Sequence, residues 1–478
     1  MILDAYGKPI KTASRRVPVA RARYDAAQTT NDNKRHWANA DGLSADAANS
    51  AAVREKLRRR ARYEVANNSY GKGIVLTLAN DTIGTGPRLQ LLSDDDKLNA
   101  SIEAEFASWT RSIHLARKLR TMRMAKVTDG EVFALMMTNP GLPGRIQLDL
   151  VLIEADRVKS PWEPQTAAAA NIDGILLDDY DNPVSYSISR RHPGDSMGWY
   201  RDYDQVSADA MIHWFRLDRP GQHRGVPEIT PALPLFAQLR RFTLAVLAAA
   251  ETAADFAAVL YTDAPANGDA AAVDPLEAVE LEQRMATTLP EGWRLGQIEA
   301  QQPATTYGEF KRELLNEIIR CILMPQNVAI GNSADYNYAS GRLDHQTYFK
   351  AIRVEQGDLA EIVLDRIFRQ WYFELSLTSD YQALRQLPMP AYQWFWDGTE
   401  HVDPLKEANA QAKRLESNTT TLAREFARDG RDWEEELRQR ARETELMREL
   451  GIGVPAPAMI TDGRDTEEDK EDEKNEAD

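Results

Sequence analysis

One cysteine, Cys321, stands among 478 residues, so no disulfide can close within the chain and a cysteine-based metal centre has no ligand set. Long hydrophobic runs are missing as well. No window of about 18 residues is free of charge. The most apolar stretch, Phe242 to Leu260, carries Glu251 and Asp255 and is built on alanine, which gains little from lipid. The opening residues, MILDAYGKPIKTASRR, have no apolar region of the kind a secretory leader needs. Secreted, membrane-spanning and disulfide-stapled proteins are therefore not expected. An excess of positive charge is also absent. Lys and Arg number 58 against 74 Asp and Glu, a net charge of -16, whereas a protein that grips phosphates over a broad surface needs the opposite sign.

The motifs of common chemistry are missing too. There is no GK[ST] or GxGxxG phosphate loop and no GxSxG nucleophile elbow. The seven histidines, His36, His114, His192, His213, His223, His345 and His401, include no pair within four residues on one helix, so no HExxH-like ligand pair exists. His213-Trp214-Phe215 sits in a strand-like run and reads as core or interface rather than as a ligand. Asp344-His345 has nothing nearby to complete a triad. Glu434-Glu435-Glu436 reads as a solvated helix face. Asp178, Asp179 and Asp181 could hold a hard cation but read more simply as a turn. No catalytic residue, cofactor or metal site is assigned.

What is present is an α+β front half and a helical rear. The first 49 residues form a polar arm, with Trp37 its one obvious anchor; it either frays or wraps a neighbouring subunit. From Ser50 to Asn67 apolar Val53, Leu57, Ala61 and Val65 recur every four residues, which predicts a helix. Arg54, Lys56, Arg58, Arg59, Arg60 and Arg62 make it the most basic stretch of the chain. A solvated or interface-facing side is expected there, with DNA contact the weaker reading. Further helices are predicted over Ile74 to Ile83 and Ser101 to Lys126, with a turn at Gly84 and Gly86. Alternation then takes over in GEVFALMM, RIQLDLVLI, GILLD, VSYSISR and AMIHWFRL. Asn139-Pro140, Pro161 and Asp181-Asn182-Pro183 separate these runs, so short-looped antiparallel strands are expected.

Pro227 to Pro234 breaks the chain before a long predicted helix, Leu235 to Tyr261. Ala248, Ala249, Ala250, Ala253, Ala254, Ala257 and Ala258 fill its second half, and side chains this small let helices approach closely. A hinge, APANGDAAAVDP, a short helix from Pro275 to Thr288 and a strand-like GWRLGQIEA follow, then a second hinge at Gln302-Pro303. Tyr307 to Met324 is helical, with Phe310, Leu314, Ile318, Cys321 and Ile322 on one stripe, which makes Cys321 a core residue and not a nucleophile. The next stretch, PQNVAIGNSADYNYASG, has no period, and an irregular stretch that long between helices usually carries function. A helix from Arg342 to Leu375 closes the region. Asp403 to Leu450 is helical and charge-laced, with a start at Thr421 and a C-cap at Gly430. PAPA leads into Asp462 to Asp478, where ten acids, three bases and no large apolar residue predict disorder.

Several stretches carry a resemblance in their order and spacing. LRRRARYEVANNSYGKGIVLTLANDTIGTGPRLQ contains an RxRxxxxNNxY…GxGxxxQ pattern. VLIEADRV, GILLDDYDNPVSYSI, MIHWFRLDRPGQHRGVPEI, MPQNVAIGNSADYNYASGR and DPLKEANA…ESNTTTLAREFARDGRDWEEE follow. Together, from about Tyr24 to Gly451, they resemble the lambda-type family of tailed-phage portal proteins. The resemblance implies a ring of twelve subunits at one capsid vertex, through which double-stranded DNA is packaged and ejected. It also implies as partners the large terminase subunit, a neck or head-completion adaptor, and major capsid and scaffold proteins. It implies no membrane, a place in the virion, and the host cytoplasm during assembly.

By that resemblance the chain divides into an N-terminal arm (1–49), an α+β wing (50–228), a first stem helix (229–262) and a small α/β clip (263–306) that holds Pro275, Trp293 and Arg294. A second stem helix (307–325), a tunnel loop (326–340), a wing return (341–400), a helical crown (401–454) and a disordered acidic tail (455–478) complete it. The seven alanines named above would pack the stem. Gln326, Asn327, Asn332, Ser333, Asp335, Tyr336, Asn337, Tyr338 and Ser340 would face the DNA. Net negative charge suits a channel in which a polyanion must slide. Two other classes stay open: another ring, adaptor or scaffold component of a phage-like particle, and a cytosolic enzyme without a recognisable motif.

Overall fold

A computed structural model describes residues 30–31, 33–161, 171–195, 202–255, 259–262, 293–296, 304–333, 338–398, 404–428 and 430–452. Helix α1 (Ala45–Ala48) starts on Ser44, whose hydroxyl accepts the Ala47 amide at 3.2 Å. Helices α2 (Ala51–Asn67) and α3 (Ser69–Ile83) are split by Asn68 alone. Its Oδ1 accepts the amides of Tyr70 and Gly71 at 3.0 and 3.3 Å, and this cap starts α3 ahead of the first apolar repeat. After β1 (Arg88–Leu91), the single helix expected over Ser101 to Lys126 is two helices, α4 (Asp96–Ser112) and α5 (Leu115–Asp129). His114 between them is left-handed at φ 54°, which re-aims the chain so that Ile113 and Leu115 are both buried. Neither Gly nor Pro marks this break in the sequence.

Strands β2 (Glu131–Thr138), β3 (Leu148–Ile153), β4 (Asn171–Ile172), β5 (Ile175–Leu177), β6 (Pro183–Ser189), β7 (Tyr203–Ser207) and β8 (Met211–Phe215) form two antiparallel sheets, ordered β3-β2-β8 and β4-β5-β6-β7. Strand β2 shows the period-2 logic directly. Val132 and Ala134 join Leu148, Leu150, Ile212 and Trp214 in a core shared with α4 and α5. Phe133 points the other way and joins Ile153 and Met211 against Tyr186 and Ile188 of the second sheet. Glu131 shares the parity of Phe133 and so is aimed between the sheets.

Helix α6 (Leu233–Asp255) is shorter than its expected extent, because the stretch taken as its end is strand β9 (Val259–Thr262). It pairs antiparallel with β10 (Trp293–Gly296), Trp293 opposite Thr262 and Arg294 opposite Tyr261. Val259 and Tyr261 suit a pleated strand better than the alanine helix before them. Ala257, Ala258 and the helix expected from Pro275 to Thr288 lie outside the described residues.

Helix α7 (Ala304–Arg320) leads to α8 (Gln326–Ile330) and α9 (Tyr338–Leu359); a π-helical segment, Ala360–Leu364, joins α9 to α10 (Asp365–Ser376). Strand β11 (Tyr392–Phe395) pairs with β1 and ties the return to its start. Helices α11 (Pro404–Glu416), α12 (Leu422–Arg428) and α13 (Trp433–Glu449) finish the described chain. Thr421 Oγ1 accepts the Arg424 amide at 3.3 Å at the start of α12, and Gly430 takes φ 71° beyond its end.

One core gathers Phe106, Trp109, Phe368 and Trp371 where α4 and α10 face β2, β3 and β8. A second joins α2, α3, the start of α6, the end of α7, α8 and α9. Thr230–Glu251 is apolar and long enough to cross a membrane by length and composition. Here its first turns are core: Leu233, Phe236 and Leu239 are buried. Trp37, the expected anchor of the arm, is half exposed and meets His36 edge-on among the described residues.

Candidate functional site

Half of the basic run of α2 meets the expectation of a solvated, interface-facing or DNA-facing side: Lys56, Arg59 and Arg60 are exposed, whereas the other three are held by carboxylates. Arg54 and Arg58 are buried. Arg54 pairs with Asp173 of the β4–β5 turn, and Arg58 reaches Glu131 at 3.2 Å and Asp156 at 3.2 Å. Arg62 holds Asp129 through two bonds of 2.7 and 2.8 Å and Asp156 at 2.7 Å. Arg224 completes the network. It is fully buried and donates to Glu131 from Nε and Nη2 at 2.9 and 2.7 Å, and from Nη1 to the Val158 carbonyl at 3.1 Å.

Glu131 thus collects Arg58, Arg224, the Gly225 amide at 3.0 Å and His213 Nε2 at 3.1 Å. Burial alone would raise its pKa, but these donors hold the carboxyl well below the usual carboxylate range, with Arg224 the strongest. The pKa of His213 is also lowered, first of all by its burial. Four arginines therefore face four carboxylates, Glu131, Asp129, Asp156 and Asp173, so the cluster is close to neutral. It welds α2, both sheets and the turn at 222–227 into one joint.

A second charged joint seats the helix pair α6 and α7. Arg123 of α5 donates to Glu228 Oε2 at 3.0 Å, and Lys126 lies between Glu228 and Glu355 of α9. Lys126 Nζ also sits 4.5 Å over the Trp214 ring. Arg240 on α6 pairs with Glu64 on α2. Beyond this seat the pair emerges from the core. Phe242 stacks on Tyr307 at 5.7 Å and meets Phe310 at 4.6 Å, while Leu244, Leu247 and Phe310 stay exposed. Ala248 and Ala250 are exposed and Ala249 is half-buried.

The stretch expected to be irregular is partly helical. Gln326 to Ile330 forms α8, closed by Gly331 at φ 71°, and Tyr338 and Ser340 fall in the first turn of α9. Five residues are too few to leave a period in the sequence. Asn327 is turned into its own subunit: it is buried, its Nδ2 lies 2.9 Å from His345 Nε2, and its Oδ1 accepts the Val328 amide. Gln326 is half-buried, and Asn332 and Ser333 are exposed. Asp335, Tyr336 and Asn337 lie outside the described residues. Cys321 packs partly buried against the second core, and burial pushes its thiol up to about 11, the behaviour of an inert core cysteine.

These geometries can be set beside known proteins. Residues 30–356 match the family described as phage portal protein, lambda family. The chain belongs to the lambda family of phage portal proteins. It is 24% identical over 438 residues to a "Probable portal protein" of Halomonas phage phiHAP-1, an alignment that spans 84% of this chain and 82% of that one. Its fold is similar to a chain in the neck of an empty gene transfer agent (GTA) particle computed with C6 symmetry, at TM-score 0.51 and 14% identity over 79% of this chain and 93% of that one. A chain in the neck of the native particle, computed with C12 symmetry, gives TM-score 0.47 at 12% identity over 80% and 94%.

In this portal-family chain the RPGQHRGVPEI stretch is exposed at Arg219, Pro220 and Gly221 and turns into a buried joint from Gln222 on. Gln222, Arg224 and Glu228 are buried. A Cβ at Gly225 would collide with the Gly130 carbonyl, and one at Gly130, at φ 89°, with the Val226–Pro227 backbone. The two glycines let the turn lie backbone to backbone on the start of β2. One further cluster, Glu154, Asp156 and His192, has the composition of a metal site. Its hydrogen bonding argues otherwise. The Gly194 amide donates to His192 Nδ1 at 3.0 Å, which puts the ring proton on Nε2, 2.9 Å from Glu154 Oε2 but outside hydrogen-bond geometry. A ligating imidazole needs the reverse arrangement. Asp178 likewise spends its carboxylate on the Tyr180 and Asn182 amides, both at 2.8 Å, which makes it a turn.

Proposed function

We propose that this chain is the subunit of a portal ring, the capsid-vertex channel through which double-stranded DNA enters and leaves the particle. The observation that carries the reading is the family match over residues 30–356. The exposed apolar side of the α6–α7 pair supports it, because Leu244, Leu247 and Phe310 need neighbouring copies to leave water. In this reading α6 and α7 are the stem, β9 and β10 begin and end the clip, and the exposed part of 326–340 lines the tunnel. Twelve copies form the ring, which sits in the virion. The clip docks the large terminase subunit and later a neck adaptor, and the rim meets major capsid and scaffold proteins.

The chain supplies geometry rather than chemistry in this role. ATP-driven work belongs to the docked terminase, in keeping with a sequence that has no phosphate loop. The test is the native mass of the purified, assembled particle. A ring of about twelve copies is expected; a species of one to four copies would overturn the reading.

A further inference from the structure

A cleft of about 720 Å³ separates the wing from the last helix, with β1 and α4 on one side and Gly430, Asp432 and Glu435 on the other. The sides meet where Gln90 Nε2 donates to Asp432 Oδ2 at 2.9 Å and Arg438 stands 3.7 Å from Asp96. Glu103 projects from α4 into this cleft. Its Oε1 accepts the Leu91 amide at 2.6 Å, and the charges that press on it most are Asp432, Glu435 and Glu434 at the start of α13. Asp432 already caps that helix, accepting the Glu434 amide at 2.8 Å, so the amide end of α13 has a carboxylate before Glu103 arrives. Arg88, Arg111, His114, Arg117 and Arg120 also line the cleft. Of these, Arg88 is directed to Asp397 at 3.5 Å and Arg120 to the Gly84 carbonyl.

We propose that Glu103 is a proton-operated latch: protonated, it lets the start of α13 seat on the wing, and ionised, it repels that seat through Asp432, Glu434 and Glu435. Glu103, Asp432 and Glu434 are half-buried and Glu435 is exposed; Glu434 also holds Arg438 at 2.9 Å, which leaves Asp432 and Glu435 as the acids facing Glu103 across the cleft. Burial first, then the three acids, raise the Glu103 carboxyl to about 7, against about 4.3 for a glutamate in water. The seated state therefore binds the proton more tightly than the open one. Seating is fullest below about pH 4.3, weakens by up to about tenfold per pH unit as pH rises toward 7, and is level above that. The latch concerns the wing and last helices alone and does not depend on the channel reading.

The test is hydrogen exchange of residues 433–449 in the full-length protein between pH 5.5 and 8, corrected for the intrinsic pH dependence of exchange, with Trp433 fluorescence as a second readout. Wild type should lose at least about tenfold in protection across this range. Glu103→Gln, which keeps an oxygen for the Leu91 amide, should stay protected and level. Glu435→Gln, which leaves the cap intact, should move the wild-type midpoint to lower pH. A level wild-type profile, or a Glu103→Gln profile parallel to wild type, would overturn the proposal.

Discussion

At the scale of single residues, the chain is governed by charges that the sequence shows and partners that it hides. Arg54, Arg58 and Arg62 are plain in the sequence as a basic run, yet their partners Asp173, Asp156 and Asp129 lie 119, 98 and 67 positions away. Periodicity has no access to such distant pairing, so burial of the run was not legible. Glu103 was silent for the same reason, since Asp432 joins it only through tertiary packing. Cys321 was legible, because its position on an apolar stripe is local information. The glycines of the buried turn are the sharpest test at this scale. Gly225→Ala puts a methyl group into the Gly130 carbonyl and the Glu131 side chain, both parts of a joint that cannot shift without disturbing Arg224. A loss of at least about 2 kcal/mol in stability is expected, read by chemical denaturation. Gly221→Ala, where a Cβ meets open space but φ is 71°, should cost less.

At the scale of elements, strands were the most legible feature. The five alternating runs match β2, β3, β5, β6 and β8, because each places one parity in a core. Misreadings fell where composition and local geometry disagree. Alanine carried the helical reading past Asp255 into β9, and the His114 break has no glycine or proline to announce it. β1 and β11 were missed because each is four residues long and pairs only with a strand some 300 positions away. The β9–β10 pair brings together the two ends of the segment between α6 and α7, which is proposed above as a small docking unit. Segments that small rarely hold a core of their own, so this one should lean on neighbouring subunits. Deletion of Pro275 to Glu299 should leave the wing folded, judged by its near-ultraviolet circular dichroism, while terminase binding is lost. Unchanged affinity for terminase would reject the assignment.

At the scale of the whole molecule, charge and symmetry act together. A net charge of -16 per chain, repeated around the proposed portal ring, would give its channel little hold on a polyanion, which suits DNA that must move in both directions. Symmetry then multiplies any single change. Among the tunnel residues named from the sequence, Asp335 is the one charged side chain; Asn332 and Ser333 are polar and exposed, and Asn327 is occupied within its own subunit. Asp335→Lys would place one new cation per subunit, and a ring of twelve would present all of them to the same stretch of phosphates. Each phosphate contact releases condensed counterions, so the added hold should be strong at low salt and should fade as salt rises. Asp335→Asn removes a charge without adding a grip and should package DNA nearly as wild type does. The measurement is packaging and ejection by both variants at low and high salt. Slower movement in Asp335→Lys alone, relieved by salt, is the expected result. Equal behaviour of the two variants at both salts would show that residues 326–340 stand away from the DNA, because a twelvefold change of charge cannot go unnoticed by a strand in contact with it.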